Sequence, residues 1–293
     1  GTIHGGNKAD ASGNTLNVKT NAQAGNIKNF ETIKLTLKSG AFNPANSLLR
    51  LTGGAQTTDL DWSKLDVDTT ALAAAPKSYE AYRVKLMENA NGISFMKGAT
   101  NTYASLGAKE RTQGDLEYVI DTDNHTANAA NSVDLEAYQF RNKQNAAFTA
   151  ADGTKAEAWG GRTKVGNKVE KNSLKVMGGS LTTAAYGGLV QNLEAGSGAG
   201  GYKTNGDAAE NTLELHAGAT VADGYGADVR TQAGNATGNT VDLGDGTNIG
   251  AISVTGTIHG GNKADASGNT LNVKTNATAG NIKNFETIKL TLK

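Results

Sequence analysis

Residues 1–38 read GTIHGGNKADASGNTLNVKTNAQAGNIKNFETIKLTLK, and the same stretch returns at residues 256–293. The two copies differ at one of 38 positions, where Gln23 is replaced by Thr278, and they lie 255 residues apart. Self-similarity at a fixed period is typical of repeat architectures, in which each unit buries its apolar face against the next. The sequence therefore predicts one unit of a tandem array, whose partners are neighbouring copies of the same unit stacked end to end.

Within this stretch lies a shorter motif, Asn-(Ser/Thr)-(Leu/Val)-x-(Leu/Val), which occurs six times in the chain. Its asparagines are Asn14, Asn131, Asn172, Asn211, Asn239 and Asn269. The last five are separated by 41, 39, 28 and 30 residues, which fits one or two turns of a solenoid with loops of variable length. The two apolar residues of each motif face the same side of a strand. The pattern predicts an all-β fold, a parallel solenoid.

The asparagine of each motif is predicted to lie at a corner between strands. Asparagine tolerates the left-handed backbone conformation that a sharp corner needs, and its amide can hydrogen-bond the corner of the neighbouring coil. Stacked corners would then form an asparagine ladder. A single Asn-Thr-Leu is equally compatible with an ordinary turn followed by a strand. The six occurrences favour the solenoid.

The chain divides into four segments by composition. Residues 1–38 and 256–293 are predicted to be coils that open this unit and the next. Residues 160–255, in which Gly-rich turns alternate with short strands, are predicted to be regular coils. Residues 39–159 carry most of the aromatic residues and both prolines. We expect them to form a β-rich elaboration that protrudes from the solenoid or widens it.

Three local patterns add detail to this map. Asn91-Gly92 precedes an alternating run and predicts a hairpin turn. Residues 68–75 are predicted to form a short helix. Gly pairs such as Gly5-Gly6 and Gly187-Gly188 are predicted to be turns between strands, because glycine permits positive φ and close approach between coils.

Composition and charge argue against several classes of function. The 28 basic and 28 acidic residues give zero net charge, so there is no electrostatic reason to expect nucleic acid or an anionic membrane as a partner. The chain has no cysteine, so it has neither a disulfide framework nor a Cys-based zinc site. It has no run of 18 apolar residues and no signal-peptide pattern, and we expect no membrane contact in this segment.

Paired carboxylates are the main candidates for catalysis. Parallel β-helix enzymes that cleave acidic polysaccharides use carboxylates two residues apart on a strand face. Three such pairs occur here: Asp59 with Asp61, Asp66 with Asp68, and Asp121 with Asp123. Two carboxylates can divide acid and base roles when their environments separate their pKa values. No basic cluster accompanies any pair and acidic turns are common, so we expect no catalytic residue and no enzymatic activity.

Metal and cofactor sites are not predicted. Asp121 to His125 begins like a calcium loop, but the glycine and the distal glutamate of an EF-hand are missing. Gly244-Asp245-Gly246 does not recur in tandem, as it would in a calcium-binding β-roll. The four histidines, His4, His125, His216 and His259, lie near no Cys, HExxH or GxSxG pattern, so no His-based site can be assembled.

Aromatic residues offer an alternative binding function. Tyr79, Tyr82, Tyr103 and Trp159 could form a face that binds a sugar or a protein, since exposed aromatic side chains bring a large contact area. Packing in a local core is the other interpretation of the same residues.

The combination of GTIHGG, ASGNTLNV and GNIKNFETIKLTL resembles the passenger regions of Gram-negative autotransporter-type surface proteins. The resemblance covers residues 1–38, about 160–255 and 256–293, and rests on repeat style. It implies a right-handed β-helix, export to the cell surface, and adhesion or contact between cells, with a surface glycan or protein as partner. We expect a structural, adhesive fibre segment outside a bacterial cell. A polysaccharide-acting β-helix enzyme and a carbohydrate-binding module on a solenoid stalk are the alternatives.

Overall fold

The chain folds almost entirely into β-strands. The computed structural model describes residues 1–7, 13–38, 45–55, 60–71, 77–96, 109–114, 116–122, 129–139, 145–191, 205–231, 233–248, 250–263 and 266–291. Within those ranges there is no α-helix, and the helical segments are the 3-10 turns Trp62–Lys64 and Ala150–Asp152.

Strands β1 to β13 make up the N-terminal half. They are β1 Thr2–His4, β2 Thr15–Val18, β3 Ala22–Ala24, β4 Asn26–Lys28, β5 Thr32–Lys38, β6 Leu49–Leu51, β7 Leu60–Asp61, β8 Leu65–Ala71, β9 Ala81–Met96, β10 Lys109–Gln113, β11 Leu116–Thr122, β12 Ala129–Gln139 and β13 Asn145–Thr149. The C-terminal half continues with β14 Thr154–Thr163, β15 Val169–Glu170, β16 Ser173–Met177, β17 Ser180–Val190, β18 Ala208–Ala209, β19 Thr212–Leu215, β20 Thr220–Val229, β21 Ala236–Thr237, β22 Thr240–Leu243, β23 Ile252–Gly261, β24 Thr270–Val273, β25 Ala277–Lys283 and β26 Thr287–Leu290.

The strands from β13 onward form a parallel solenoid with three sheets, which we call the second stack. Strands β13, β16, β19, β22, β24 and β26 form a six-stranded parallel sheet, the motif sheet. Strands β14, β17, β20, β23 and β25 form a five-stranded parallel sheet, the glycine sheet. Strands β15, β18 and β21 form the third. The coils from β13 to β21 visit the three sheets in the same order, and the strands from β22 to β26 alternate between the motif sheet and the glycine sheet. The predicted all-β parallel solenoid is therefore confirmed.

The repeated motif builds the core of the second stack. Its first apolar residue is in register from coil to coil as Leu174, Leu213, Val241 and Leu271. All four side chains are fully buried. Burial of one such side chain stabilises the fold by about 2 kcal/mol, and each coil adds its own contribution against its neighbours.

A shorter solenoid, the first stack, forms from the N-terminal copy of the repeat. Strands β2, β5 and β8 form a three-stranded parallel sheet. Strand β1 pairs with β4 in parallel. Strand β6 lies between β3 and β9 and pairs with both of them in parallel. Residues 1–38 therefore supply the first strands of the first stack, whereas residues 256–293 supply the last strands of the second stack.

An antiparallel sheet of β9, β12, β11 and β10, the bridge sheet, extends the first stack. Strand β11 is buried on both faces. Tyr118 and Ile120 pack in the core of the first stack, and Val119 packs against Trp159 and Tyr186 on the outer face of the second stack. These strands therefore join the two stacks.

Three local features differ from the prediction. Residues 68–71 belong to strand β8 rather than to a helix, and residues 72–75 lie outside the described residues. Asn91 and Gly92 lie inside β9, at the register shift between Glu88 and Ile93 opposite β12, where Gly92 has a φ of 102°. Parallel coils also begin at β13, before residue 160, because Ala146 and Phe148 already pack in the second core.

The pair Gly187-Gly188 lies within strand β17 rather than at a turn, whereas Gly5-Gly6 follows β1 at a bend. Gly187 and Gly226 are inside β17 and β20, where neighbouring coils approach closely. A Cβ on Gly187 would lie 2.5 Å from the carbonyl oxygen of Gly226, and one on Gly226 would lie 2.7 Å from that of Gly260. Contacts under 3 Å do not accommodate a carbon atom, so these positions need glycine for space rather than for a turn.

Candidate functional site

Four of the six motif asparagines form a continuous ladder through the second stack. Oδ1 of Asn211 accepts hydrogen bonds from the backbone N–H and from Nδ2 of Asn172, both at 3.1 Å. Asn239 accepts the same two bonds from Asn211 at 2.9 and 3.3 Å, and Asn269 accepts them from Asn239 at 2.9 and 3.2 Å. All four residues are buried. The ladder therefore satisfies backbone groups that the corner removes from water.

The left-handed conformation at each corner belongs to the residue before the asparagine. Lys171, Glu210, Gly238 and Gly268 have φ values of 56°, 54°, 64° and 71°. The prediction that the asparagine itself takes this conformation is wrong. The preceding residue makes the bend, and the asparagine contributes its amide group.

The ladder ends on a carboxylate that the motif does not reveal. Oε2 of Glu286 accepts the backbone N–H of Asn269 at 2.6 Å. In the first copy the equivalent Glu31 lies beside Asn14 and donates its backbone N–H to the Asn14 carbonyl at 3.0 Å. Asn131 does not join the ladder, because its motif lies in the antiparallel strand β12 of the bridge sheet.

A column of aromatic rings runs along the outer face of the glycine sheet. Trp159, Tyr186, Tyr225 and His259 occupy equivalent positions in four successive strands. The rings of Tyr186 and Tyr225 stack with centroids 5.3 Å apart, and those of Tyr225 and His259 lie 4.5 Å apart at an angle of 2°. The guanidinium of Arg162 lies 4.5 Å from the centroid of the Trp159 ring. Since parallel strands are about 4.8 Å apart, identical register alone brings the rings into stacking distance.

Arg230 lies beside this column and donates hydrogen bonds to two neighbouring side chains. Nε of Arg230 donates to Asp228 at 2.7 Å, and its Nη2 donates to the Tyr186 hydroxyl at 2.9 Å. Burial raises the pKa of Asp228, and the neighbouring Arg230 opposes that rise. Burial also raises the pKa of Tyr186, which stays neutral at physiological pH. The rings of Tyr186, Tyr225 and His259 cover each other's faces, so this part of the column offers ring edges to a ligand rather than the flat surface that stacking on a sugar requires.

The predicted binding aromatics do not share one surface. Trp159 is 3% exposed and lies under the bridge sheet. The Tyr79 hydroxyl donates to Asp152 at 2.7 Å, and its ring meets Phe148 edge-on at 5.5 Å. Tyr82 packs against the core of the first stack. Tyr103 lies outside the described residues. The three described rings thus pack in three different clusters.

Of the three predicted carboxylate pairs, Asp66 with Asp68 lies wholly within the described residues. Asp66 is exposed and lies 3.8 Å from the Lys34 ammonium. Asp68 accepts hydrogen bonds from the hydroxyl and the backbone N–H of Thr70, at 2.6 and 3.1 Å, and these bonds lower its pKa. A general acid at neutral pH needs a raised pKa, so the environment of Asp68 does not suit that role.

Of the other acidic candidates, Asp61 and Asp121 accept hydrogen bonds from nearby backbone N–H groups. Asp61 accepts the backbone N–H of Ser63 at 2.9 Å and caps a 3-10 turn. Asp121 accepts the backbone N–H of Thr122 at 2.8 Å within the bridge sheet. Asp59, Asp123 and His125 lie outside the described residues. Across the ranges that the structure covers, no cluster of three or more His, Cys, Asp or Glu side chains is arranged to hold a metal ion.

The remaining histidines lie in different surroundings. His216 lies 3.3 Å from Glu214 and 3.5 Å from Asp245. Asp245 accepts the backbone N–H groups of Thr247 and Asn248 at 2.7 and 2.9 Å, which holds its pKa well below its usual range. His259 belongs to the aromatic column, where burial lowers its pKa, and its equivalent in the first copy, His4, is exposed.

Sequence reasoning missed the buried network that fixes the bridge sheet to the second stack. Glu117 of β11 is fully buried. It accepts hydrogen bonds from the Thr163 hydroxyl at 2.8 Å, the backbone N–H of Lys164 at 3.0 Å and Nδ2 of Asn167 at 2.8 Å. The ammonium of Lys164 contacts Glu136, and burial lowers the pKa of Lys164. The alternation in residues 116–120 predicts the strand that carries Glu117, but it does not predict which residues of other strands bind the Glu117 carboxylate.

The side of the first copy that faces away from the first stack is open. Ile3 is 40% exposed, whereas the equivalent Ile258 of the second copy is fully buried. Leu16 is partly buried, and its equivalent Leu271 is fully buried. We call this open side of residues 1–18 the leading face.

The opposite side is open in the second copy, where β25 and β26 form the trailing face. Ile282 and Leu290 are 45% and 69% exposed, whereas the equivalent Ile27 and Leu35 are fully buried. The same residues are therefore buried or exposed according to whether a further coil covers them.

None of the described segments is a helix of the length and apolarity needed to cross a membrane. Comparison of the chain with protein-family models, curated proteins and solved structures found no match.

Proposed function

We propose that the chain is a structural, adhesive segment of an extracellular fibre built from repeated solenoid units. The observation that carries the proposal is the double role of the 38-residue repeat. Residues 1–38 start the first stack, and the nearly identical residues 256–293 finish the second stack. In a tandem array one such segment performs both roles at once and makes the two stacks continuous.

The exposed apolar residues fit this arrangement. Leu290 is exposed, but the equivalent Leu35 pairs with Val67 of the next strand and is fully buried. A following unit would supply the counterpart of β8 and cover the trailing face in the same way. The motif sheet of each joined stack would then contain seven strands: β13, β16, β19 and β22, followed by the counterparts of β2, β5 and β8. At about 4.8 Å per strand, such a stack is about 3 nm long.

The position of the bridge sheet supports a rod of fixed shape. Its strand β11 is buried between the two cores, and Glu117 anchors it through three hydrogen bonds. Because buried polar networks rigidify a structure when all their members are satisfied, successive stacks would keep a constant relation. The similarity in repeat style to autotransporter-type passengers supports a right-handed solenoid, display on a bacterial surface and attachment to a glycan or protein of another surface.

Electron microscopy of fibres on cells that carry the full-length protein tests the proposal, with cells that lack the protein as the control. We expect thin filaments with a regular axial repeat of about 3 to 5 nm, given by one joined stack plus the thickness of the bridge sheet. Compact particles, or filaments without this repeat, would reject it. Loss of attachment to a second cell surface when the protein is removed tests the adhesive part separately.

A further inference from the structure

A polar cleft of about 420 Å³ lies where the first stack meets the bridge sheet. Its volume is within the range of small-molecule sites, about 300 to 1,000 Å³. Every residue that lines it lies between positions 50 and 132, well inside the chain. Strands β6, β9 and β12 supply its polar side chains, which include Arg50, Lys85, Glu88, Asn91, Asn131 and Ser132.

The cleft forms at a wide bulge in β9. Residues 89–92 of β9 lie opposite the single residue Asn131 of β12. Gly92 has a φ of 102°, a left-handed value that glycine adopts without steric strain. Bulges are frequent beside binding sites, because they turn side chains out of the regular sheet. This one presents the exposed residues Ala90 and Asn91 to the cleft.

A buried amide holds the bulge in one shape. Asn89 is 0% exposed. Its Oδ1 accepts the backbone N–H of Asn91 at 3.0 Å, and its Nδ2 donates to the carbonyl oxygen of Gly54 at 3.3 Å. Nδ2 of Asn91 donates to the carbonyl oxygen of Gly53 at 2.8 Å. The Asn91 side chain is therefore fixed before a ligand arrives, which lowers the entropy lost on binding.

One carboxylate in the cleft is shared by two cations. Glu88 lies 3.4 Å from Nε of Arg50 and 3.5 Å from Nζ of Lys85. It also accepts a hydrogen bond from the hydroxyl of the buried Ser47 at 2.9 Å. A guanidinium has five N–H donors and an ammonium has three, so each cation keeps donors for a ligand. The side chains of Arg50, Lys85 and Glu88 are 62%, 46% and 29% exposed, and a ligand can reach all three.

The charges in and beside the cleft balance. Asp134 of β12 pairs in register with Lys85, so the two carboxylates Glu88 and Asp134 accompany the two cations Arg50 and Lys85. A site without net charge gives an anion no long-range attraction. The chemistry of the cleft therefore favours a neutral ligand.

The mixture of donors and acceptors favours a ligand with adjacent hydroxyl groups. A hydroxyl both donates and accepts hydrogen bonds, so neighbouring hydroxyls match a carboxylate that lies beside cationic and amide donors. The exposed methyl group of Ala90 can contact the C–H groups of such a ligand. A peptide is bound mainly through large apolar or aromatic anchors, and the one large apolar residue of the lining, Leu51, is buried.

We propose that this cleft binds a neutral saccharide through Arg50, Glu88 and Asn91. The inference rests on the proposed function and deepens it, because it names the class of ligand to which the fibre attaches. A single monosaccharide held by hydrogen bonds is expected to bind with a Kd of about 1 mM. A tandem array repeats the cleft in every unit, and multivalent attachment strengthens such a contact without any new interaction.

An NMR titration of the isotope-labelled full chain tests the proposal. The probes are glucose, galactose, mannose and N-acetylglucosamine, with glucuronate as an acidic analogue of glucose. We expect the amides of Asn89, Asn91 and Ser132 to shift with a Kd of about 1 mM for at least one neutral sugar, and glucuronate to bind no more tightly than glucose. Absence of shifts at these amides with every probe would overturn the proposal. Preferential binding of glucuronate with displacement by sulfate would overturn it too, since the cleft would then be an anion site.

Three variants assign the binding to the cleft. Glu88→Gln keeps the length of the side chain but removes its charge, and it should weaken binding about tenfold or more. Asp66→Asn is the matched control, because Asp66 forms an exposed ion pair with Lys34 at 3.8 Å outside the cleft, and it should leave the Kd unchanged. Ala90→Lys fills the cleft from an exposed position without altering the amides of the bulge, and it should abolish binding.

Urea unfolding shows which variants are folded. If Glu88→Gln is folded and binds as tightly as the wild type, the proposal fails. If Glu88→Gln does not fold, Ala90→Lys decides, and an unchanged Kd in that variant overturns the proposal. Filaments with the predicted repeat on cells, together with no binding of any sugar, would leave the fibre standing and reject only this inference. Binding of a sugar without filaments on cells would do the reverse.

Discussion

Removing one amide from the middle of the asparagine ladder should be more damaging than removing one from its end. Asn239 and Asn172 are both buried, at 0% and 1% exposure, so Asn239→Ala and Asn172→Ala remove the same atoms from similar surroundings. The difference lies in what each Oδ1 accepts. Oδ1 of Asn239 accepts the backbone N–H of Asn211 at 2.9 Å. Oδ1 of Asn172 has no hydrogen-bonding partner within the described part of the chain.

The expected magnitudes follow from this difference. Asn239→Ala leaves a buried backbone N–H without an acceptor, which costs about 1 to 3 kcal/mol. It also removes the donation from Asn239 to Asn269 at 3.2 Å, worth about 1 kcal/mol. Asn172→Ala loses only its own donation to Asn211 at 3.1 Å and removes an unsatisfied acceptor. We expect the free energy of unfolding to fall by about 2 to 4 kcal/mol for Asn239→Ala and by about 1 kcal/mol or less for Asn172→Ala.

Urea unfolding of the two variants and hydrogen exchange of the Asn211 amide measure the effect. The loss for Asn239→Ala should appear as a lower midpoint with an unchanged slope, and exchange at Asn211 should become at least about tenfold faster. Asn172→Ala should leave that amide protected. Equal losses of stability in the two variants would refute the reasoning, because burial alone would then account for the ladder.

Two further predictions concern the contacts that hold the stacks together. Glu117→Ala should detach the bridge sheet and expose the Trp159 ring, which acrylamide quenching of tryptophan fluorescence would detect as increased quenching. The control variant Glu80→Ala, at an exposed site, should leave the quenching unchanged. Unchanged quenching in both variants would contradict the role of the buried network. The backbone N–H of Thr149 and the Tyr79 hydroxyl hold the pKa of Asp152 well below its usual range, so its contribution to stability is present at neutral pH and is lost as the pH falls from about 4 towards the folded-state pKa. Asp152→Asn should remove that acid sensitivity, and identical pH profiles of the urea midpoint for variant and wild type would count against it.

Much of the solenoid was accessible from local patterns. The alternation in Asn-Thr-Leu-x-Leu predicts a strand with one buried side, and the packing of Leu213 and Leu271 follows it. The ladder of Asn172, Asn211 and Asn239 follows from the same motif, because a residue that recurs once per coil in a parallel stack must lie beside its own counterpart. Spacing along the chain is enough to infer such contacts.

Other features depend on which strands become neighbours, and a motif does not carry that information. Asn131 has the same local sequence as the ladder residues, but its strand pairs antiparallel in the bridge sheet. The aromatic column arises because four strands share a register, although their rings lie between 27 and 39 residues apart in the sequence.

The 38-residue repeat separates the two kinds of information most clearly. By itself the sequence determines that Leu35 and Leu290 lie on equivalent strands with the same inward-facing side chain, because local propensity and alternation are identical in the two copies. Only the tertiary structure decides that Leu35 is buried and Leu290 is 69% exposed. The physical reason is that burial in a solenoid is supplied by the next coil, which is a neighbour in space rather than a property of the strand itself.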